Sequence, residues 1–494
     1  MNLTNNLYTS SLALLTDFYQ ITMAYGYWKT GIAEKESVFN LFYRKNPFNG
    51  GFAINSGLSY VIDLLKSFRF TDTDVSYLAT INGQDNKPLF EPEFLEYLKN
   101  LKFSCDIDAI PEGKVVFPHE PLVRVKGPII QCQLIESPLL NIINYQTLIA
   151  TKAARIHVAA KGEPVLEFGL RRAQGIDGAI AASRAAYIGG CTSTSNVLAG
   201  KLFGIPVSGT HAHSWIMAFD DELSAFKAYA EAMPNNCILL VDTYNTLEGV
   251  KKAVEVGKIL REKGKELLGV RIDSGDLAYF SIEARKLLDE AGFTNAKIVA
   301  SNDLDENIIS SLRSQDAKID VWGIGTKLVT AYDQPALGAV YKLSALKEED
   351  GWKYKIKLSE QAIKVNNPGI QQVRRFYYEE NGSKHLLADM LYDTLQPLGD
   401  KHKIIDPMDI TRRKVIQADE ASFEELLIPV FRDGQPVYES PNIQTIRDTT
   451  LQSLAELPKG VKRFVNPHSY PVGLEEKLFT TKTDLILKLR NLAD

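Results

Sequence analysis

The chain has 494 residues, 45% hydrophobic and 24% charged, a globular composition too long for one ordinary core, so two or three domains are expected. A formal net charge of −5 and a pI near 5.9 exclude a global basic field for nucleic acid, while local cationic clusters remain free to hold a small anion. Cys105, Cys132, Cys191 and Cys237 are dispersed and form no C-x-x-C pair, which speaks against zinc or a redox dithiol and for free thiols in a reducing compartment.

The opening MNLTNNLYTSS has no basic region or long apolar run, and no stretch nears the roughly 18 apolar residues of a membrane span, so the cytoplasm is the expected location. A helix-like LALLTDFYQITMAYGYWKTG ends at Gly31, a strand-like SVFNLFYR follows, and the Gly-rich NPFNGGFAINSG turns the chain. Residues 1–150 thus read as an N-terminal α+β domain.

Between residues 164 and 326 the texture changes. Strand candidates PVLEFGL, AAYIGG, IPVSGT, NCILLVDT, LLGVRID, AKIVASND and DVWGIGT alternate with helix candidates such as TSNVLAGKLF, DELSAFKAYAEAM, TLEGVKKAVEVGKILREKG and LAYFSIEARKLLDEAG. Units of roughly 20–30 residues suit βα repeats on a parallel sheet. Seven strands closed by polar residues predict a closed or nearly closed barrel over residues 151–345, with the chemistry at the strands' carboxyl ends. After about Leu343 the rhythm stops, and KEEDGWKYKIKLSEQAIKVNNPGIQQVRRFYYEENG predicts hairpins with interspersed Lys and Arg. The region 346–494 either caps the barrel or packs back on the N-terminal part.

Arg271 and Asp273 stand two apart on one strand and face the same way, while Val270 and Ile272 face the helical layer. Two charges in a barrel mouth either pair internally or hold a ligand, and Ser274-Gly275-Asp276 favours a site, because Gly lets backbone approach a ligand. His211-Ala212-His213 admits three readings: a space-filling or capping His, a metal pair as in barrel hydrolases, or a nucleophilic or acid/base His. The metal reading needs further His at later strand ends, and His119, His157, His385, His402 and His468 are not there. Gly323-Ile324-Gly325-Thr326 ends the last strand, where barrels often bind phosphate. On residue type alone Tyr19 and Phe168 read equally as core aromatics, and Arg44, Lys45, Lys357, Lys364 and Arg374 as solvated surface charge.

Taken together, TDFYQITMAYGYW, SVFNLFYRKNPFNGGFAI, ESPLLNIINYQTLIATKAARI, EFGLRRAQGIDGAIAASRAAYIGG, SGTHAHSW, VRIDSGDL and VWGIGT resemble the nicotinate phosphoribosyltransferases, in unbroken order from about residue 16 to 330, and PGIQQVRRF is compatible. The resemblance implies an irregular (β/α) barrel of the type II phosphoribosyltransferase kind, with an N-terminal α+β domain and a C-terminal α/β extension. It implies condensation of nicotinate with phosphoribosyl pyrophosphate, coupled to ATP hydrolysis through a phosphohistidine at His213, with Mg²⁺ carried by pyrophosphate or ATP. The pyridine ring is then held between Tyr19, from the neighbouring subunit of a homodimer, and Phe168. Arg271, Thr210 and Arg171 face the nicotinate carboxylate, and Asp273, Gly325 and Thr326 surround the ribose phosphate. Arg44, Lys357 and Lys364 reach the pyrophosphate. Catalysis falls to His213, Asp273 and Arg271.

Nicotinamide phosphoribosyltransferase is the nearest alternative, but that relative places an Asp after the second barrel strand, where this chain has neutral Cys191-Thr192-Ser193. A carboxylate there would repel nicotinate, so its absence favours the acid. A metal-dependent barrel hydrolase and a non-catalytic sensor on the same barrel are the other classes weighed.

Overall fold

The computed structural model describes residues 11–417 and 419–492, and the opening MNLTNNLYTS lies outside them. By contact the chain divides into two units: residues up to 147 with 336–442 and those from 452 onward, and residues 148–335 with 443–451. The sequence reading divides the chain after residues 150 and 345, whereas contact divides it after 147 and 335 and groups most of the tail with the N-terminal part.

The second unit is an α/β barrel. Its parallel strands are β1 (Val165–Glu167), β2 (Ser193–Thr194), β3 (Ile238–Leu240), β4 (Gly269–Ile272), β5 (Lys297–Ser301) and β6 (Val321–Ile324). Their lateral order is β2-β1-β6-β5-β4-β3, and Val207 adds a single parallel bridge to Thr194 beyond β2. Val165, Leu239, Val270, Ile298 and Ile324 are buried, as expected of strands covered by helices and packed against one another. Helices Val197–Phe203, Glu222–Ala232, Thr246–Glu262 and Leu277–Glu290 occupy the expected connections, and Glu306–Ser314 joins β5 to β6.

Two strand expectations are corrected. AAYI belongs to the helix Ile176–Ile188, because an alanine-rich run has the strongest helix propensity, and the strand begins only after Gly190, whose φ of +120° turns the chain. IPVSGT contributes only the Val207 bridge. Pro206 has no N–H to donate, and Ser208 N bonds Thr194 O at 3.0 Å before the chain leaves the sheet.

The first unit carries hairpins on both sides of the barrel in sequence. A seven-stranded sheet runs Gly351–Tyr354, Val340–Glu348, Glu36–Phe42, Val123–Pro128, Asp106–Ala109, Ile428–Arg432 and Gln435–Pro436. Glu36–Phe42 pairs antiparallel with Val340–Glu348, so strands from either end of the chain share one ladder. A six-stranded sheet from Gln371 to Glu475 has the buried Arg375 and Asp389 at its centre, joined by bonds of 2.6–3.1 Å. The N-terminal helix is shorter than expected. Leu12–Leu14 forms a separate 3-10 turn, and the helix proper, Phe18–Lys29, is followed by Gly31 at φ +75°. Cys105, Cys132, Cys191 and Cys237 are all free and buried. Among the described residues no helix is long and apolar enough to cross a membrane.

Candidate active site

The carboxyl ends of the barrel strands bring together side chains that are far apart in sequence. From β4, the Arg271 guanidinium is held on all three nitrogens: Nε donates to Ser301 Oγ at 2.8 Å, Nη1 to Thr210 Oγ1 at 3.1 Å and Nη2 to Asp273 Oδ1 at 2.8 Å. Ser301 Oγ in turn donates to Asp273. The internal ion pair of one sequence reading therefore exists, yet among the described residues one N–H on each terminal nitrogen has no partner. Arg271 also lies over the Phe168 ring, 5.4 Å from its centroid, within the range of a cation–π contact.

Phe168 follows β1, and its N–H bonds Ile324 O of β6 at 2.7 Å. Its place beside the sheet depends on Gly323, where an added Cβ would sit 2.9 Å from the Phe168 ring and 3.3 Å from Ser301 Cβ. Beneath it the buried Glu167 carboxylate accepts from Gly169 N–H, from Ser183 Oγ at 2.8 Å and from Thr194 Oγ1 at 2.5 Å. Sequence reasoning missed Glu167 as a support. Its signal was a lone carboxylate inside an otherwise apolar strand, which must be paired or fully hydrogen-bonded when buried.

The two histidines separate. His213 opens the helix His213–Met217 and stays accessible, its Nδ1 3.1 Å from Thr243 Oγ1 and its Nε2 4.0 Å from both Asp242 Oδ1 and Asp273 Oδ2. The strand candidate NCILLVDT also carries an acid near its end, Asp242. Its Oδ2 accepts from Asp273 N–H at 2.9 Å and Ser274 Oγ at 2.6 Å, while Oδ1 is buried without a hydrogen-bond partner. His211 turns into the wall instead. It is buried, its Nε2 accepts the Leu240 N–H at 3.1 Å, and the Tyr229 ring meets it edge-on at 4.7 Å. Burial first, and the Arg271 and His213 charges further, push its pKa down to about 4.

Gly325 and Thr326 start a four-residue helix, Thr326–Val329, directly after β6. Asn302 and Asp303 after β5 have φ of +105° and +31°, a strained stretch of the kind that persists at functional rims. Arg171 lies exposed on the short turn Leu170–Arg172, and its side chain makes no hydrogen bond or ion pair among the described residues.

The remaining expected residues belong to the first unit. Tyr19 is on the helix Phe18–Lys29 and 49% exposed, so it is no core aromatic. Burial lowers the pKa of Arg44, and its Nε is buried without an acceptor. Lys342, which the sequence reading did not single out, has a pKa lowered by burial and then by Arg44 and Lys357, against the opposing pull of Glu136. Arg44, Lys342 and Lys357 thus lie within electrostatic reach of one another, with Glu136 as the acid beside Lys342. Lys364 ends the exposed turn Ala362–Lys364, and no contact ties it to that group.

Among the described residues, no three His, Cys, Asp or Glu converge to hold a metal. The bare Asp242 Oδ1 and Asp273 Oδ2 offer two carboxylate oxygens, a donor set suited to Mg²⁺ that keeps phosphate and water as its other ligands.

Known proteins resemble the chain along nearly its whole length. Residues 14–144 match the model of the nicotinate phosphoribosyltransferase N-terminal domain, residues 164–364 that of the nicotinate phosphoribosyltransferase family, and residues 370–482 that of its C-terminal domain. A nicotinate phosphoribosyltransferase of Bacillus subtilis is 45% identical over 482 residues, covering 97% of this chain and 96% of that protein. One from Caenorhabditis elegans is 38% identical, covering 94% and 92%. The crystal structure of human nicotinic acid phosphoribosyltransferase matches with a TM-score of 0.82 at 33% identity, covering 95% of this chain and 99% of that one.

Proposed function

The chain belongs to the nicotinate phosphoribosyltransferase family, and from that premise we infer that it joins nicotinate to phosphoribosyl pyrophosphate in NAD salvage, giving nicotinate mononucleotide and pyrophosphate. The observation that carries this reading is the Arg271 fork. It is fixed at three points, faces Phe168, and keeps one N–H on each terminal nitrogen. A planar guanidinium so held takes a carboxylate through two parallel bonds, with Thr210 beside it and the exposed Arg171 joining from the rim.

With the pyridine ring against Phe168, the ring nitrogen points its lone pair at the anomeric carbon of the ribose. The new C–N bond forms as the C–O bond to pyrophosphate breaks, and pyrophosphate leaves with that electron pair. Positive charge grows on the sugar in between, and the Asp273 carboxylate is the group that stabilises it in a cleft poor in water. Gly325 and Thr326 supply N–H groups to the ribose phosphate. Arg44 and Lys357, with Lys342 beside them, meet the pyrophosphate, and Lys364 is the outermost of that set.

ATP enters as co-substrate through His213. With Nδ1–H donated to Thr243 Oγ1, Nε2 carries the lone pair that attacks the γ-phosphorus of ATP, and ADP leaves. Hydrolysis of the phosphohistidine then returns phosphate. Two carboxylate oxygens 4.0 Å from Nε2 would repel a phosphoryl group unless a cation offset their charge. Asp242 and Asp273 would hold Mg²⁺ brought in with ATP or pyrophosphate, and when bound the ion would supply neutralisation of phosphate charge. The reading includes a homodimer in which Tyr19 of the neighbouring subunit covers the other face of the pyridine ring, and a cytoplasmic location.

Nicotinate is favoured over nicotinamide because Cys191, Thr192 and Ser193, which lead into β2, carry no carboxylate, and the nearby Glu167 already accepts from three donors of the chain itself. The test supplies either nicotinate or nicotinamide with phosphoribosyl pyrophosphate and Mg²⁺, with and without ATP, to wild type and to His213→Ala. Nicotinate mononucleotide should form with ATP stimulation in wild type only. Equal turnover of nicotinamide would overturn the substrate, and stimulation that survives in the variant would remove His213 from the coupling.

A further inference from the structure

Apart from the strand-end chemistry, a groove of about 650 Å³ opens in the first unit between the tip of the hairpin Lys401–Ile405/Arg413–Gln417 and the segment leading into the strand Val472–Glu475. The sheet register explains why the two meet. Ile405 is opposite both Arg413 and Leu474, so the hairpin tip and the incoming segment leave the same end of the sheet. Four cationic side chains line this space, Arg412, Arg413, Lys414 and Arg463, with His468 beside them and Asp406 as the one acid. In a chain of formal net charge −5, such a one-sided cluster does not follow from composition.

The charges are poorly compensated. Among the described residues Lys414 Nζ has only the Leu387 carbonyl, at 3.1 Å, and burial lowers its pKa. Arg413 bonds the Ile410 carbonyl through Nε at 2.8 Å, which leaves both terminal nitrogens open. Glu476 is its acidic neighbour, but that carboxylate is bonded to Lys403 Nζ at 2.5 Å. Arg463 makes no side-chain hydrogen bond or ion pair among the described residues. Arg412 is the exception, meeting Asp409 at 3.2 Å on the exposed loop. Asp406 is occupied by its own turn, accepting from Met408 N–H at 2.8 Å.

Only the half-buried Lys414 ammonium has given up solvation that a multiply charged anion would restore, while Arg413 and Arg463 are exposed and offer open guanidinium donors at the same cavity. Guanidinium forks match phosphate oxygens in pairs, and the volume falls in the range of small-molecule sites. The walls add Pro467, Pro471 and Val472, an apolar surface of the kind that seats a ring. We propose that this groove is a second anion site, separate from the transferase reaction, that binds a phosphorylated small molecule of nucleotide size.

The test titrates the full-length protein with inorganic tripolyphosphate by calorimetry at physiological salt. It compares wild type, R413E/R463E, R413K/R463K, and a control, K251E/K258E, with the same charge change on the exposed face of the helix Thr246–Glu262. R413E/R463E should lose one bound equivalent per chain, or bind it at least tenfold more weakly, with kcat and KM for nicotinate unchanged. The lysine pair should retain weakened binding, and the control should match wild type. The imido analogue of ATP, run in parallel, separates the sources. Tighter binding than tripolyphosphate identifies a nucleotide, and equal binding a bare polyphosphate chain. Wild-type stoichiometry and affinity in R413E/R463E, or an equal loss in the control, overturns the proposal.

Discussion

His211 Nε2 accepts the Leu240 N–H at 3.1 Å, on the flank of the parallel sheet where the described residues form no backbone ladder between Val207 and β3. A side chain thus makes a connection that a strand would otherwise make. The bond requires a bare Nε2, so the proton of the neutral ring resides on Nδ1, which faces the Ala212 carbonyl at 3.4 Å. Because Thr210 and His213 flank this residue, its anchorage also fixes the contact to Arg271 and the candidate phosphoryl acceptor.

Protonation removes the acceptor, so the link is acid-labile. The ordinary histidine pKa of 6.5 falls to about 4 in the folded chain. Between those values the unfolded chain binds the extra proton and the folded chain does not, so stability is complete above pH 6.5, declines as pH falls, and levels off below 4. The maximal loss is about 3 kcal/mol. His119, also held to about 4 by burial and by Lys482 and Arg44, adds a loss of the same sign. In His211→Gln the amide oxygen keeps an acceptor that does not titrate, so the urea midpoint should fall less steeply from pH 7 to 4.5 than in wild type. His211→Phe should lower stability by about 1–3 kcal/mol even at pH 7.5, by orphaning the Leu240 N–H. Identical pH slopes for wild type and the Gln variant would count against the assignment.

Much of this barrel was legible because its strands are short β-branched runs closed by polar residues, and the carboxyl ends of those runs are where Thr210, His213, Asp242, Arg271 and Ser301 stand. The second strand was not, because AAYI is apolar at both helical and strand spacing, and only the buried alanines of Ile176–Ile188 decide for helix. His211 and His213 were indistinguishable in sequence, since alternation on a strand predicts the same side for both. The chain leaves the sheet at Ser208, and the two rings part. Lys342 was invisible for another reason. Its charge matters only beside Lys357, which the neighbouring hairpin returns to it, and Arg44, which is brought near by strand pairing across about 300 residues.

Arg271→Lys tests the fork. An ammonium cannot serve Ser301, Thr210 and Asp273 at once and still offer two parallel donors. KM for nicotinate should rise about 10- to 100-fold, equivalent to roughly 1.4–2.8 kcal/mol, with KM for phosphoribosyl pyrophosphate changed much less. Steady-state kinetics with each substrate varied in turn read this directly, and wild-type constants would refute the contact.

Gly323→Ala probes the seat of Phe168 without touching a charged group. The added methyl would lie 2.9 Å from the Phe168 ring and 3.3 Å from Ser301 Cβ, closer than ordinary carbon contacts, so the ring should yield. Because Phe168 is only half-buried, the ring has room to swing away and the fold should survive. The expected signature is a KM for nicotinate raised about tenfold with the thermal midpoint lowered by only a few degrees. Unchanged nicotinate kinetics would show that the position of this ring does not govern binding.

Tyr19 decides whether one chain is sufficient. It is 49% exposed on a helix whose Phe18 and Met23 are exposed as well, a surface expected to be covered when two chains associate. Tyr19→Ala should leave the thermal midpoint of the separate chain nearly unchanged, since little packing is lost, but remove one face of the ring site and most activity. Arg271→Ala should also be nearly inactive. If the tyrosine serves the neighbouring subunit's barrel, mixing the two variants under conditions that allow subunit exchange restores one intact site in each mixed dimer. Random pairing makes half the dimers mixed, so activity should recover to roughly a quarter of wild type. Mixed dimers that form, as size and mass measurements would show, yet stay inactive would place Tyr19 and Arg271 of the same chain in one site and end the shared-site reading.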